Sequence, residues 1–235
     1  MSAPKIRAVL FDFDGVIVDT EPLHYRTLAE TLAAAGLGLL TEEAYGERYI
    51  VFDDREAIRA AFRDAGRPLS PERLEALMEE KARRFRELAA AGVALFPGAR
   101  EAIEALGAVY PLAIASGALR EEIETILVAH GLRSRFLALA AADDVTHSKP
   151  HPETYLLALE RLNMALRCSP PIRPEETVVI EDTINGVLGA QAAGMRTVAV
   201  THSYPAERLR HAEVVLDSLI GLTPGRLSAL LGSSS

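Results

Sequence analysis

The chain is poor in cysteine, in positive charge and in long apolar runs, and each shortage removes a class of protein. Cys168 is the single cysteine in 235 residues. An intramolecular disulfide, a cysteine zinc cluster and an iron–sulfur site are therefore excluded. Lysine and arginine total 25 against 33 aspartates and glutamates, a formal net charge of -8. A surface of that sign disfavours nucleic acid and anionic membranes as partners, and any anionic ligand needs a local source of positive charge. No run approaches membrane-spanning length, and no amino-terminal stretch has the build of a signal peptide, so a cytoplasmic location is expected. There is no internal repeat. No coiled-coil pattern calls for a partner, so a monomer is expected. The end, Gly232-Ser233-Ser234-Ser235, reads as a flexible tail.

What is present is ordinary globular material, 49% hydrophobic and 25% charged, enough apolar mass for a substantial core. Short apolar runs at Ile6–Phe11, Leu112–Ala115, Leu137–Ala141, Thr177–Ile180, Thr197–Val200 and Val214–Leu216 read as strands. Helical stretches separate most of them, which indicates an α/β fold with a covered parallel sheet. From about Glu21 to Ala91 the rhythm breaks and no strand is legible. Leu28, Leu32 and Ala35 share one helical face, and Ile58, Ala61, Phe62 and Ala65 another. Ser70-Pro71-Glu72 reads as an N-cap followed by proline, opening a long helix through Leu74, Leu77, Met78, Ala82 and Phe85. This block is read as a helical insertion between the first two strands. Its connections, near Ile17–Pro22 and Gly92–Pro97, are candidate hinges.

Chemistry gathers at the strand ends. The first strand stops in Asp12-Phe13-Asp14-Gly15. Two carboxylates at the end of a buried strand cannot be satisfied by a core, so they must face a metal, another cation or water. Phe13, between them, reads as core packing. The second strand ends in Ser116-Gly117, a hydroxyl and a glycine ahead of a helix near Arg120, which form a natural phosphate seat. In His147-Ser148-Lys149-Pro150-His151-Pro152-Glu153, prolines fix the backbone after a lysine that supplies a point charge. The fourth strand ends in Glu181-Asp182, again two acids. A capping serine, a solvated lysine or a capping aspartate would each explain one motif. Their coincidence at successive strand ends points to one site.

With those motifs placed, the chain resembles the haloacid dehalogenase superfamily of phosphohydrolases, in the branch of β-phosphoglucomutase and sugar-phosphate phosphatases. The Asp-x-Asp-Gly opening, the following Asp19-Thr20-Glu21-x-x-His24, the serine, the Lys-Pro and the Glu-Asp pair carry the resemblance, which spans Ile6 to about Val215. It implies a Rossmann-like core, residues 1–18 and 95–231, with an inserted helical cap, residues 19–94, and a tail, 232–235. It implies Asp12 as nucleophile and Asp14 as general acid and base. Ser116 would hold the transferring phosphoryl group beside Gly117, and Lys149 would neutralise its charge. Magnesium would be held by Asp12, Asp182 and the Asp14 carbonyl, with Glu181 at or near the metal. Thr20 and His24 would support closure around a small phosphorylated metabolite.

A phosphatase is the first reading within that branch and a β-phosphoglucomutase-type mutase the second. After Ser116 the residues Gly117, Ala118 and Leu119 lack the mutase's polar character, and around Arg48 and Arg55 the segment Tyr49-Ile50-Val51-Phe52 does not match its phosphate-binding arginine. A dehalogenase needs no proton donor at Asp14. A phosphonate hydrolase would rest on Lys81, the only lysine of the insert. A phosphorylated receiver, which also joins acids, a hydroxyl and a lysine, would be shorter and lack a cap. Tyr45, Arg48, Asp54, Lys81 and Arg84 are candidates for substrate choice. His130, His202 and His211 read as surface or satisfied residues, His147 and His151 as loop residues, and Asp143-Asp144 as a solvated turn. Cys168 lies in a Pro-rich loop with no catalytic partner in view.

Overall fold

A computed structural model describes residues 5–50, 52–167 and 169–232; Cys168, Val51 and the three serines of the expected tail lie outside the described residues. In chain order the elements are β1 (Ala8–Phe11), α1 (Glu21–Ala34), α2 (Glu42–Arg48), α3 (Asp54–Asp64), α4 (Pro71–Ala91), α5 (Ala99–Gly107), β2 (Leu112–Ala115), α6 (Arg120–Ala129), β3 (Phe136–Ala140), α7 (Glu153–Leu166), β4 (Thr177–Glu181), α8 (Ile184–Ala192), β5 (Arg196–Val200), β6 (Val214–Leu216) and α9 (Pro224–Gly232). Gly232, expected in the tail, thus closes a helix. The chain divides into two compact units, Met1–Asp19 with Ala94–Ser235, and Thr20–Val93.

The first unit is an α/β, Rossmann-like domain. Its six strands run parallel in the order β3-β2-β1-β4-β5-β6. All of β1, β2 and β4 is buried, as apolar strands in the middle of a parallel sheet must be. β2 and β6 have the expected bounds. β1 starts at Ala8 rather than Ile6, where its pairing with β4 begins. β3 covers Phe136–Ala140 rather than Leu137–Ala141, β4 reaches Glu181, and β5 starts at Arg196. Leu137 is exposed as the extra residue where β3, an edge strand, shifts register on β2. From β1 the chain builds outward on one side through β2 and β3, then crosses back to place β4 on the other side of β1. That reversal of strand order opens a crevice at the strand carboxyl ends, where such sheets bind ligands.

The two segments expected as hinges are tied together within this unit. Val18 bridges Leu95, Asp19 N–H donates to Ala94 O at 3.1 Å, and Phe96 N–H donates to Ile17 O at 3.0 Å.

The second unit is wholly helical among the described residues. Thr41, Asp53 and Ser70 cap α2, α3 and α4 by accepting from backbone N–H groups in the first turn, and Pro71 opens α4 as expected. Leu28, Leu32, Tyr49, Ile58, Phe62 and Leu74 form its core. Ala35 and Ala65 instead fall just past α1 and α3, and Ala65 is exposed. Lys81 is buried in this unit, 2.7 Å from Asp54 Oδ1 and 3.3 Å from His24 Nδ1. No helix among the described residues is long and apolar enough to cross a membrane.

Candidate active site

The sheet delivers the first acid directly. Asp12 follows β1, and its N–H still donates to Ile180 O on β4 at 2.9 Å, so the backbone is held as strand although the side chain is charged. The carboxylate is buried, 6% exposed. Lys149 Nζ stands 2.9 Å from Asp12 Oδ1 and 2.6 Å from Glu181 Oε1. Glu181 is the last residue of β4 and has no exposed surface. Its Oε1 accepts from Lys149 and from Tyr155 Oη at 2.6 Å. Its Oε2 accepts from Asp182 N, Thr183 N and Thr183 Oγ1 at 3.0–3.2 Å. Both oxygens are therefore engaged, and Gly186 leaves room for them, since a Cβ there would collide with this carboxylate.

Asp182 is also buried. Its Oδ2 accepts from Ser203 Oγ, while its Oδ1 has no hydrogen-bond partner. Asp12 Oδ1 likewise lacks an aligned hydrogen-bond donor, the lysine meeting it only as an ion pair. Carboxylate oxygens of Asp12, Glu181 and Asp182 lie within 4.8 Å of one another. Buried anionic oxygens without donors are costly, and a hard cation with oxygen ligands relieves that cost. The residues present fit magnesium, with Asp12 and Asp182 as the two side chains that have a vacant oxygen. Gly15, at φ +73°, lets the loop pass close above Asp182, because a Cβ would run into that carboxylate and Ser203 Oγ.

The charges shift one another. Burial and the negative charge of Glu181 push the Asp12 carboxyl up to about 7, with Asp14 adding to the rise and Lys149 opposing it. Burial, Glu181 and Asp12 push Asp182 up to about 8, with the Ser203 hydrogen bond opposing. Burial also pushes Glu181 up, but Lys149 and the hydroxyl of Tyr155 outweigh it, so Glu181 stays below the usual range. Burial alone would discharge Lys149; Asp12 and Glu181 hold it well above the ordinary lysine value. The result is a fixed cation beside two carboxylates that are reluctant to ionise without a further positive charge.

Ser116 directly follows β2, buried, with its N–H on Ala140 O at 3.0 Å and its Oγ accepting from Ala118 N at 3.0 Å. Ser116, Gly117, Ser148 and Lys149 line a cavity of about 510 Å³, together with Thr183, Asn185, Tyr204 and Arg208. Gly117 faces open space there.

The first unit thus brings together Asp12, Asp14, Ser116, Gly117, Lys149, Glu181 and Asp182. Thr20 and His24 belong to the second unit, where Thr20 precedes α1 and His24 contacts Lys81 and packs on Phe85 with ring centroids 4.7 Å apart. Several contributors escaped the sequence reading. Tyr155 and Ser203 act through hydrogen bonds that only the fold creates. His202, read as a surface or satisfied residue, is satisfied by the Gly15 carbonyl at 2.7 Å and stacks on Phe96 at 4.0 Å. Asp144, expected in a solvated turn, is clamped by Arg120 and Arg161 at 2.5 and 2.6 Å, and those arginines hold its carboxyl down at about 2. No local pattern announces any of these pairings.

Comparison with known proteins places this geometry in context. Residues 9–200 match a family model described as haloacid dehalogenase-like hydrolase. The chain is 34% identical over 224 residues to protein CbbY of Cereibacter sphaeroides, covering 92% of this chain and 94% of that protein. It is 34% identical over 210 residues to a phosphorylated carbohydrates phosphatase of Thermotoga maritima, covering 84% and 87%. Among solved structures, a CbbY variant from Rhodobacter sphaeroides in complex with xylulose-(1,5)bisphosphate superposes with a TM-score of 0.77 at 32% identity, covering 92% of this chain and 96% of the other.

Proposed function

The chain belongs to the haloacid dehalogenase-like hydrolases, a phosphoric monoester hydrolase among them, and from that premise we propose that it dephosphorylates a small phosphorylated sugar through a phosphoaspartate at Asp12. One observation carries the proposal: a buried carboxylate at the end of the central strand, its Oδ1 without an aligned donor, stands beside a lysine fixed by Glu181. One Asp12 carboxylate oxygen attacks phosphorus while the other is left for a cation. The bond from phosphorus to the sugar oxygen breaks, and Asp14 donates the proton that the leaving oxygen needs. Asp14 then takes a proton from water, whose oxygen attacks the same phosphorus; the acyl-phosphate P–O bond breaks, releasing inorganic phosphate and restoring the Asp12 carboxylate.

Lys149 and the Ser116-Gly117 turn receive the charge that spreads over the phosphoryl oxygens. Glu181, with both oxygens already engaged, serves to seat Lys149. Asp12, Asp182 and the Asp14 carbonyl would hold magnesium, which supplies the charge neutralisation that lets two carboxylates and a phosphate share one crevice. We assign choice of substrate to the helical unit, read as the cap. The names of the similar proteins, a phosphorylated carbohydrates phosphatase and CbbY with a sugar bisphosphate, support a sugar phosphate as substrate class.

The test is phosphate release across a panel of sugar phosphates and other phosphomonoesters, with and without magnesium, for the wild type and Asp12→Asn. The expected result is magnesium-dependent release from at least one ester by the wild type and none by the variant. Equal release by both would remove Asp12 from its role. An isomerised sugar phosphate in place of inorganic phosphate would make the protein a mutase.

A further inference from the structure

The loop that carries Lys149 holds a second convergence of ligand atoms, which the phosphate chemistry does not use. His147 and His151 stand two residues either side of Lys149, and Glu153 opens α7. Glu153 Oε2 lies 2.8 Å from His147 Nδ1 and 3.7 Å from His151 Nδ1. The two imidazoles lie against each other with centroids 4.6 Å apart. One ligand atom from each of the three residues falls within 4.8 Å of the others.

Local backbone builds this arrangement. Thr146 N–H and His147 N–H donate to the Glu153 carboxylate at 2.9 and 3.1 Å, which draws the start of the loop onto the helix. His151 N–H donates to Ser148 O at 3.0 Å, closing a turn, and Pro150 and Pro152 restrict φ on both sides of His151. Glu153 N–H donates to His151 Nδ1 at 3.3 Å, a bond that an ion on that nitrogen replaces; the rest of the change is side-chain adjustment within a loop already turned.

The spacing fits a tetrahedral ion. Metal–ligand bonds of about 2.0–2.2 Å place neighbouring ligand atoms roughly 3.3–3.6 Å apart. The two Nδ1–Oε2 separations bracket that value. Two imidazoles and one carboxylate form a borderline donor set, suited to zinc and its neighbours, whereas magnesium prefers all-oxygen ligation. The three side chains are open to solvent, so water can complete the coordination.

We propose that His147, His151 and Glu153 form a binding site for a divalent transition-metal ion, zinc by the chemistry of the donor set, separate from the carboxylate cluster of Asp12 and Asp182. A bound ion staples residues 147–153, Lys149 among them, into one rigid loop. The site stands on this loop alone and does not depend on the hydrolase mechanism.

The experiment is a titration of the full chain with zinc in excess magnesium, followed by calorimetry and by ¹H–¹⁵N spectra of the imidazole nitrogens. The chain has six histidines, so the two of interest can be assigned by substitution. The expected result is that the His147 and His151 Nδ1 resonances shift on saturation while the other histidines do not. His147→Asn and His151→Asn should each weaken this binding at least about tenfold, the scale of lost metal-site partners. Asp182→Asn should leave it in place. The proposal is overturned if zinc leaves both imidazoles unshifted, or if neither histidine substitution weakens binding while Asp182→Asn does. The wild-type spectrum decides the matter even where a variant does not fold.

Discussion

Tyr155 offers the cleanest measure of how the fold seats Lys149. The residue is fully buried in α7. Its hydroxyl is 2.6 Å from Glu181 Oε1 and 3.0 Å from Gly186 O, and its ring centroid is 5.1 Å from Lys149 Nζ. Tyr155→Phe keeps the ring, the packing and the cation–π contact and removes only the hydroxyl. A hydrogen bond to a charged acceptor contributes about 1.5–3 kcal/mol. In a chain of this size each kcal/mol moves the melting temperature by about 2–4 °C, so a fall of roughly 3–12 °C is expected. Glu181 keeps its bonds from Lys149, Asp182 and Thr183, so the variant should still fold. Burial and the Glu181 charge hold the tyrosine well above its ordinary value, so the hydroxyl stays protonated through the assay range. The fall should therefore be the same at about pH 7 and about pH 9. Thermal unfolding followed by circular dichroism reads it. A change below about 1 °C, or a deficit that vanishes at the higher pH, would refute the reasoning.

Three further outcomes follow from the same cluster. Asp12 and Asp182 are raised from 3.8 to about 7 and about 8, so in the metal-free protein they favour the fold only while protonated; that contribution is complete below about pH 4 and lost as pH climbs through their folded values. A cation binds the ionised forms, so the rise in melting temperature on adding magnesium should be small near pH 6 and largest near pH 8.5, and equal shifts at both would contradict the assignment. Lys149→Met leaves Asp12 and Glu181 without their buried counter-charge; phosphate release should drop at least about 100-fold and stability by about 3–5 kcal/mol, and a variant keeping a tenth of the activity would reject the role. Gly15→Ala must place a Cβ at φ +73° against the Asp182 carboxylate, so denaturant unfolding should show a loss of about 1–3 kcal/mol and magnesium should no longer stabilise the protein; a wild-type response would show that the loop can move aside.

Much of the fold could be read along the chain because its strands are short, apolar and stopped by polar residues. Six such runs, separated mostly by helical stretches, suffice to imply a parallel sheet. Strand limits were less legible, since they depend on partners: β1 begins where β4 begins to pair with it, and β3 exposes Leu137 where its register on β2 shifts at the sheet edge. The long helix from Pro71 was legible from its cap and its proline. Ala65 misled because an apolar period continues past the residue at which the backbone turns away, whereas Ala35, just past the end of α1, still packs on the core with Leu28 and Leu32.

The amino-acid order by itself determined the kinds of group available and their attachment to strand ends: Asp12 and Asp14 after the first strand, Ser116 after the second, Lys149 ahead of a helix, Glu181 and Asp182 at the fourth. Those are covalent facts, and they hold whatever surrounds them. Only the tertiary structure decided what each group does to the others. It laid β4 beside β1, so that Lys149 sits between Asp12 and Glu181, and it placed Tyr155, Ser203 and His202 against partners far along the chain. Charge and burial act through space, and distances through space are set by packing rather than by sequence neighbours. That is why two aspartates that look alike in the sequence as ordinary acids become, in the fold, buried carboxyls that resist ionisation.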